Sequence, residues 1–144
     1  MTRQQQWDRL FLKFAKDVSQ MSRAVRLQVG AVAVKDRRVV CIGYNGTPEG
    51  EDNCCEFTDH FGNLITKPNV IHAEDNLIRF SKKLGVDLTG CTLYITHSPC
   101  VNCCELIKES GICRVVFSEP HRDVWEAYKL RLLGITISLI PDDN

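Results

Sequence analysis

Two short stretches decide how this chain is read: residues 72–74, His-Ala-Glu, and residues 98–103, Ser-Pro-Cys-Val-Asn-Cys. Zinc in enzymes binds three protein ligands, typically imidazole nitrogen and thiolate sulfur, and keeps a fourth position for water. His72, Cys100 and Cys103 supply three ligands of these types. The Cys-x-x-Cys spacing lets one turn of chain direct both sulfurs at a single ion. The pattern therefore predicts one catalytic Zn²⁺ ion held by these three residues.

Glu74 lies two residues after the predicted histidine ligand and is left free to carry protons rather than to bind metal. Such a carboxyl group can act as a base and then as an acid, because each proton transfer restores its earlier state. Apolar residues with helical spacing follow both stretches, and Pro99 is typical of the start of a helix. We therefore expect two helix starts to face each other across the metal, where the positive end of a helix stabilises thiolates.

Simpler interpretations of these residues exist. A Cys-x-x-Cys pair alone is more often half of a structural zinc site or a redox pair, and a His-x-Glu triplet alone is uninformative. Their combination, with proline before the first cysteine, is far more specific and favours the catalytic interpretation. A second group of possible ligands consists of Cys54, Cys55, Asp59 and His60. These residues could bind a second metal ion, but we favour the interpretation that they are loop residues without a metal.

The composition is that of an ordinary globular chain. Its 144 residues are expected to form a single domain over residues 1–144, and 18 basic residues balance 18 acidic ones. Zero net charge argues against a broad contact with a nucleic-acid backbone, which needs a basic face. The sequence lacks a membrane-spanning segment and the apolar core of a signal peptide, and its eight cysteines suit a reducing compartment. We expect a cytoplasmic protein, in the host cytosol if the source is viral.

Hydrophobic spacing in the first half predicts a helix followed by a hairpin. The helix covers residues 2–22, and its apolar stripe is expected to pack in the core rather than to dock a partner. The stripe consists of Trp7, Leu10, Phe11, Phe14, Val18 and Met21, with Asp8 off that face. Strands over residues 29–34 and 39–44 form the hairpin, in which Gly30 and Gly43 indicate close backbone approach.

The second half alternates helices and strands, which implies right-handed crossovers and parallel strands. The predicted elements are helix 72–84, strand 91–96, helix 101–110, strand 113–117, a helix with apolar residues Val124, Trp125, Tyr128, Leu132 and Leu133, and strand 135–140. Residues 50–71 show no steady period, which is typical of a functional or disordered stretch. The predicted fold class is α/β, a three-layer α/β/α sandwich with a mixed five-stranded sheet. The thiols of Cys41, Cys91 and Cys113 are expected to be buried within strands.

Four stretches carry a family resemblance: residues 29–32 (Val-Gly-Ala-Val), 43–48 (Gly-Tyr-Asn-Gly-Thr-Pro), 72–76 (His-Ala-Glu-Asp-Asn) and 99–107 (Pro-Cys-Val-Asn-Cys-Cys-Glu-Leu-Ile). On these stretches the chain resembles the cytidine deaminase-like superfamily, whose zinc signature it contains. The glycine-containing loop at 43–48 narrows the resemblance to the deoxycytidylate (dCMP) deaminase family. Compact phage and viral members of that family are the most similar.

The resemblance implies hydrolysis of dCMP to dUMP and ammonia, which supplies dUMP for thymidylate synthesis. A metal-activated water attacks C4 of the cytosine, and Glu74 moves its proton to N3 and then to the leaving amine. The implied substrate contacts are Asn45 for the sugar, the backbone of Ala73 with the Ser98-Pro99 turn for the base edge, and Ser22 and Arg23 for the 5′-phosphate. An ordinary helix end explains the last two residues equally well.

Members of this family are commonly hexamers that dCTP activates and dTTP inhibits. By resemblance we expect a homo-oligomer (a hexamer) with these effectors, Mg²⁺ accompanying a bound triphosphate, and no membrane or nucleic-acid partner. The loop at residues 43–50 is the stretch connected with the effector. The implied effector contacts are Tyr44, Asn45, Gly46 and Asn76.

Three alternatives remain open at this point. The substrate could be dCTP or a 5-substituted dCMP, because contacts at the phosphate and at C5 cannot be read from spacing. A polynucleotide cytosine or adenine deaminase is less favoured, since it needs a cationic groove and stacking aromatic residues. A zinc module that only binds a nucleotide would have no use for Glu74 as a proton carrier.

Overall fold

The computed structural model describes residues 1–120 and 125–142 and consists of a central sheet with helices on both faces. Its elements in chain order are α1 Arg3–Ser19, β1 Gly30–Lys35, β2 Arg38–Tyr44, β3 Glu56–Thr58, β4 Leu64–Thr66, α2 Ala73–Leu84, β5 Thr92–His97, α3 Val101–Ser110, β6 Arg114–Glu119, α4 Trp125–Leu132 and β7 Thr136–Leu139. Within the described ranges, none of the helices is long and apolar enough to cross a bilayer.

The main sheet has five strands in the order β2-β1-β5-β6-β7. Strand β1 is antiparallel to both β2 and β5, whereas β5, β6 and β7 run parallel to one another. The parallel strands are joined by helices α3 and α4, as the alternating pattern of the sequence predicted. The mixed five-stranded sheet is therefore confirmed.

Helices cover both faces of this sheet. On one face, Phe11 of α1 packs with Tyr94 of β5 in a buried apolar cluster. On the other face, a larger cluster joins Leu77 of α2, Ile107 of α3 and Leu130 of α4. The three layers confirm the predicted α/β/α sandwich.

Local sequence explains where the helices begin and end. Helix α1 starts at a capping box, in which the Gln5 backbone N–H donates to the Thr2 hydroxyl at 3.1 Å and the Thr2 N–H donates to the Gln5 side chain at 2.8 Å. Helices α2 and α3 end at Gly85 and Gly111, which adopt the left-handed conformation that glycine permits.

Two glycines let helices lie directly on the hairpin strands, as the sequence predicted. A Cβ atom added to Gly30 would collide with the carbonyl oxygen of Ala15 in α1. A Cβ atom on Gly43 would lie 2.6 Å from the carbonyl oxygen of Ala73, in the first turn of α2. Glycine at position 43 therefore sets how closely the start of α2 approaches β2.

The Gly43→Ala substitution should destabilise the fold by about 1–3 kcal/mol, because the first turn of α2 would have to move away from β2. Urea unfolding of the two proteins measures this difference. Gly46→Ala is the matched control, since a Cβ atom there would meet nothing within 4 Å. Equal unfolding free energies for Gly43→Ala and the control would contradict the close-approach interpretation.

The apolar stripe of α1 divides between the core and the surface. Phe11 and Val18 are buried as predicted, but Leu10, Phe14 and Met21 are 52%, 40% and 63% exposed. Predicting the whole stripe to be core was wrong, because a single helix on a flat sheet buries a strip narrower than its apolar face. The helix also ends at Ser19, before the predicted residue 22.

Asp8 was predicted to lie off the apolar face but is 2% exposed. The Arg114 guanidinium donates two hydrogen bonds to its carboxylate, each 2.8 Å long, and the Tyr94 hydroxyl donates one of 2.6 Å. Burial by itself would raise the pKa of this carboxyl, but the bonds from Arg114 and Tyr94 outweigh burial and lower it. A compensated ion pair thus anchors α1 to the centre of the sheet.

Helix α4 turns a different face inward than predicted. Leu130 is fully buried, whereas Tyr128 and Leu132 are 53% and 87% exposed. Leu133 packs against the core as expected. Predictions for Val124 and for the Trp125 side chain lie outside what the structure describes. The inward face was predicted wrongly because the apolar residues of this short helix fit two overlapping stripes. Only the position of the sheet determines which stripe is buried.

The stretch at residues 50–71 contains a second, two-stranded sheet that the sequence did not indicate. Strands β3 and β4 pair antiparallel, with Glu56 opposite Thr66. Each strand has three residues, which is too short for alternation between polar and apolar residues to be recognised.

Three thiols were predicted to be buried, and the structure confirms two of them. Cys41 and Cys91 are buried, but Cys113 is exposed.

Candidate active site

The predicted metal ligands lie at the starts of two helices. His72 is the capping residue before α2, and Cys100 is the capping residue before α3. The first intrahelical bonds run from the N–H of Asn76 to the His72 carbonyl at 2.9 Å and from the N–H of Cys104 to the Cys100 carbonyl at 3.2 Å. The predicted meeting of two helix starts is confirmed, and their dipoles favour negative charge on ligands placed there.

The ligand atoms lie close enough to share one ion. His72 Nδ1 is 3.3 Å from the Cys100 sulfur and 3.4 Å from the Cys103 sulfur. Tetrahedral zinc with ordinary bond lengths places a nitrogen and a sulfur ligand about 3.5 Å apart. These residues therefore fit zinc in the type and in the spacing of their donor atoms.

Glu74 completes the cluster. One ligand atom from each of the four residues lies within 4.8 Å of the others, and no second such group occurs among the described residues. The Glu74 carboxylate is 3.7 Å from His72 Nδ1, and the residue is 3% exposed. Burial raises the pKa of this carboxyl, despite its hydrogen bond with Cys103 and the nearby His72 ring. A carboxyl group with a raised pKa holds its proton more readily, as a residue that acts as a base and then as an acid must do.

The three ligands influence one another's protonation. The hydrogen bond with Cys100 raises the pKa of His72 to about 9, above its ordinary value of 6.5. The hydrogen bond with Cys103 and the contact with His72 lower the pKa of the Cys100 thiol to about 3. That shared hydrogen bond, together with burial, raises the pKa of Cys103. Without metal at neutral pH, the site therefore holds a Cys100 thiolate, a Cys103 thiol and a protonated His72.

Zinc affinity should rise with pH in the neutral range. Zinc binds thiolate and neutral imidazole, so its binding must release the protons of His72 and Cys103. Both groups have raised pKa values, and His72, with a pKa of about 9, holds its proton through the neutral range. Each released proton contributes about a tenfold change in affinity per pH unit.

Competition with a chromophoric chelator between about pH 6 and 8 measures this slope. Cys54→Ser is a suitable control, because it changes an exposed cysteine outside the cluster. It should keep the wild-type slope. A zinc affinity independent of pH, after correction for the chelator's own protons, would contradict the protonation states described above.

The predicted base and sugar contacts flank this cluster. Ala73 and Pro99 are buried beside the ligands, and the Ser98 N–H donates to the Glu119 carbonyl at 3.0 Å. Asn45 is 9% exposed, and its amide group donates to the Leu27 carbonyl and accepts from the Val29 N–H, both at 2.8 Å. The structure places these residues in or next to the site, and their contacts with substrate stay predictions.

The predicted phosphate and effector residues lie around a neighbouring cavity. Ser22 is buried, and its hydroxyl donates to the Asn45 carbonyl at 2.8 Å. Arg23 lines a cavity of about 830 Å³ over β2 and α2, which includes none of the metal-cluster residues in its lining. Three of the four predicted effector residues, Tyr44, Gly46 and Asn76, line this cavity, whereas Asn45 does not. Their roles also stay predictions.

Sequence reasoning missed one buried acidic residue that contacts the loop after Ser22 and Arg23. Glu56 is 7% exposed and accepts hydrogen bonds from the backbone N–H groups of Val25 and Arg26 at 2.8 and 3.0 Å. No signal in the sequence could have found it, because the contact joins a loop to a strand about thirty residues later.

The geometry of the cluster defines a class of protein. Three zinc ligands of the His-Cys-Cys type, next to a buried carboxyl of raised pKa, are the arrangement of a zinc-dependent hydrolytic enzyme. A structural zinc site would instead be closed by a fourth protein ligand.

Comparison with known proteins identifies the family. Residues 5–119 match the family described as the cytidine and deoxycytidylate deaminase zinc-binding region. The chain is 32% identical to the deoxycytidylate deaminase of Enterobacteria phage T4, over 92% of this chain and 89% of that protein. It is 40% identical to the deoxycytidylate deaminase of Mycobacterium phage D29, over 77% of this chain and 93% of that protein.

A solved structure agrees over nearly the whole chain. The crystal structure of dCMP deaminase from the cyanophage S-TIM5, in complex with dCMP and dUMP, matches with a TM-score of 0.86 at 33% identity, covering 97% of this chain and 99% of that one. The chain therefore belongs to the cytidine and deoxycytidylate deaminase family, and the resemblance carried by its motifs is confirmed.

Proposed function

We propose that this protein deaminates dCMP to dUMP and ammonia and so supplies dUMP for thymidylate synthesis. The cluster of His72, Cys100 and Cys103 beside the buried Glu74 is the observation that carries the proposal. The dCMP deaminase names of the T4 and D29 relatives support a monophosphate substrate, as does the dCMP- and dUMP-bound S-TIM5 enzyme.

Different residues of this chain would bind the metal, transfer protons and orient the base. Zinc, when bound by the three ligands, supplies a water of lowered pKa. Glu74 would carry one proton of that water to N3 of the cytosine, and would then carry the second proton, left on the hydroxyl group added to C4, to the departing amine. Its burial suits this task, because the raised pKa of the carboxyl makes both directions of transfer accessible. The backbone of Ala73 and of the Ser98-Pro99 turn would orient the base at this position.

Asn45 would orient the sugar while being held rigidly itself. One amide hydrogen and one oxygen lone pair are used by Leu27 and Val29. An asparagine side chain has a second hydrogen and a second lone pair, which remain for a ribose hydroxyl. Ser22 and Arg23 would bind the 5′-phosphate, since a guanidinium group pairs well with phosphate oxygens.

We also propose regulation by dCTP and dTTP at the cavity of about 830 Å³. Its volume lies within the range of ordinary ligand sites. Its lining includes Arg79 and Lys83, which suit a triphosphate and its Mg²⁺, and Tyr44, which suits a base or sugar. Gly46 lines the cavity and exchanges backbone hydrogen bonds of 3.1 and 2.7 Å with Ile71, the residue before His72. A ligand there would touch a loop bonded to the chain that carries a metal ligand.

The surroundings of the same cavity support a homo-oligomer, which we propose to be a hexamer. Ile42, Phe80 and Leu84 line it and are 41%, 45% and 68% exposed. Contiguous exposed apolar residues of this size mark interaction surfaces, and burial against a second copy would remove them from water. We further propose that residues 1–144 act as one deaminase domain in the cytoplasm.

Ammonia release from the purified protein tests the proposed substrate. The substrates are dCMP, dCTP, deoxycytidine, 5-methyl-dCMP and a cytosine-containing oligonucleotide, each with and without dCTP or dTTP as effector. We expect kcat/KM for dCMP to exceed that for the other compounds at least about tenfold. Deoxycytidine lacks the 5′-phosphate, and a site built to bind that group discriminates against its absence. The triphosphates should change the rate with dCMP in opposite directions.

The Glu74→Gln variant is the control for the chemistry. It should keep zinc, because the three metal ligands are intact, and lose turnover by a factor of roughly 10²–10⁴. Preferred turnover of dCTP or of 5-methyl-dCMP would move the specificity to one of the alternative substrates. Preferred turnover of the oligonucleotide would overturn the proposal.

A further inference from the structure

The segment at residues 22–28 contains no helix or strand and joins α1 to β1. Its shape therefore depends on single hydrogen bonds to its neighbours rather than on a regular backbone ladder. Within it, the Gln28 side chain donates to the Ser22 carbonyl at 2.8 Å, and the Ala24 N–H donates to the Ser22 hydroxyl at 3.2 Å. These bonds close the segment into a compact loop next to Asn45.

One buried carboxylate holds the middle of this loop. The same oxygen of Glu56, Oε2, accepts from the N–H groups of Val25 and Arg26 at 2.8 and 3.0 Å. Glu56 is 7% exposed, so water does not compete for these two hydrogen bonds. Two consecutive N–H groups turned toward one oxygen fix the orientation of both peptide planes.

The two ends of the loop are held from the other side by Asn45. Its carbonyl accepts from the Ser22 hydroxyl, and its amide binds Leu27 and Val29, with all three distances at 2.8 Å. Asn45 itself is tied to the sheet, because its N–H donates to the Val29 carbonyl at 3.2 Å. The loop is thus fixed at its ends independently of Glu56 and at its middle by Glu56.

The small hairpin of β3 and β4 supplies a second contact to the same place. The Arg26 guanidinium donates to the Thr66 hydroxyl at 3.2 Å, and Thr66 is the cross-strand partner of Glu56. Both contacts come from one pair of opposed residues at the open end of the hairpin. The hairpin therefore acts as a support for the loop.

From this placement we propose that Glu56 is a positioning residue that sets the preference for a 5′-phosphate. By holding residues 25 and 26, it keeps the nearby Arg23 in the arrangement that receives the phosphate, beside Ser22, which Asn45 holds separately. Glu56 does this without touching the substrate itself. The inference rests on the proposed function, because it assigns Glu56 to the same substrate site. It also gives the hairpin a role in specificity.

The test compares KM and kcat of Glu56→Asp with dCMP and with deoxycytidine, which lacks the phosphate. Aspartate keeps the charge but is one methylene shorter, so its carboxylate cannot reach both N–H groups. We expect KM for dCMP to rise roughly tenfold or more, since small misplacements of binding groups have effects of this size. The kcat for dCMP, and kcat/KM for deoxycytidine, should stay within about twofold of wild type, because Asn45 and Glu74 are held separately.

Two further variants separate position from charge and from hairpin stability. Glu56→Gln keeps the length and one acceptor oxygen, so it should restore most of the wild-type KM for dCMP. Asp59→Asn is the matched hairpin control, because its carboxylate accepts only within the hairpin in the described contacts, from the N–H groups of Phe61 and Asn63 at 2.9 and 2.8 Å. It should leave KM unchanged.

Thr66→Ala keeps the inference testable if Glu56→Asp does not fold. It removes the surface contact with Arg26, and it should raise KM for dCMP in the same direction by about twofold to threefold. Wild-type KM for dCMP in Glu56→Asp, or in Thr66→Ala when the first variant is unfolded, would overturn the inference while the wild-type preference for dCMP stands. A wild-type enzyme without that preference would overturn the proposed function, and the inference with it.

Discussion

Three ligand atoms from two separate helix starts must arrive within bonding distance of one ion, and the rest of the fold serves that constraint. His72 precedes α2, while Cys100 precedes α3 at the end of a strand-to-helix turn. Gly43 allows the first turn of α2 to lie against β2, and the parallel pairing of β5 with β6 fixes where the turn before α3 begins. The nitrogen-to-sulfur distances of 3.3 and 3.4 Å result from these packing contacts.

The same cluster explains why one site can bind a metal and move protons. The two thiols share a hydrogen bond, so one ionises easily and the other does not. The metal replaces the protons that His72 and Cys103 hold in its absence. Glu74 lies beside the ligands but is buried, and burial keeps the pKa of its carboxyl raised. Binding and proton transfer therefore depend on one small set of neighbouring charges.

The sequence predicted the features that depend on local chemistry. The metal ligands, both helix starts, the hairpin with its two close-packed glycines and the order of strands in the second half all follow from motifs, caps and spacing. Sequence reasoning failed where a residue's environment is set by distant parts of the chain. The exposed half of the α1 stripe, the inward face of α4 and the buried ion pair of Asp8 with Arg114 depend on where the sheet lies. The contact of Glu56 with Val25 requires a hairpin of three-residue strands, which no period could indicate.

The deaminase activity of this chain depends, in our proposal, on one zinc ion at His72, Cys100 and Cys103. The most direct measurement is to remove metal with a chelator and to follow dUMP formation while Zn²⁺ is added back in known amounts. We expect no turnover without metal, and activity that rises linearly until about one zinc is bound per chain, as for a single three-ligand site. Full activity in the metal-free protein, or zinc that binds at this stoichiometry without restoring dUMP formation, would contradict this role of the metal.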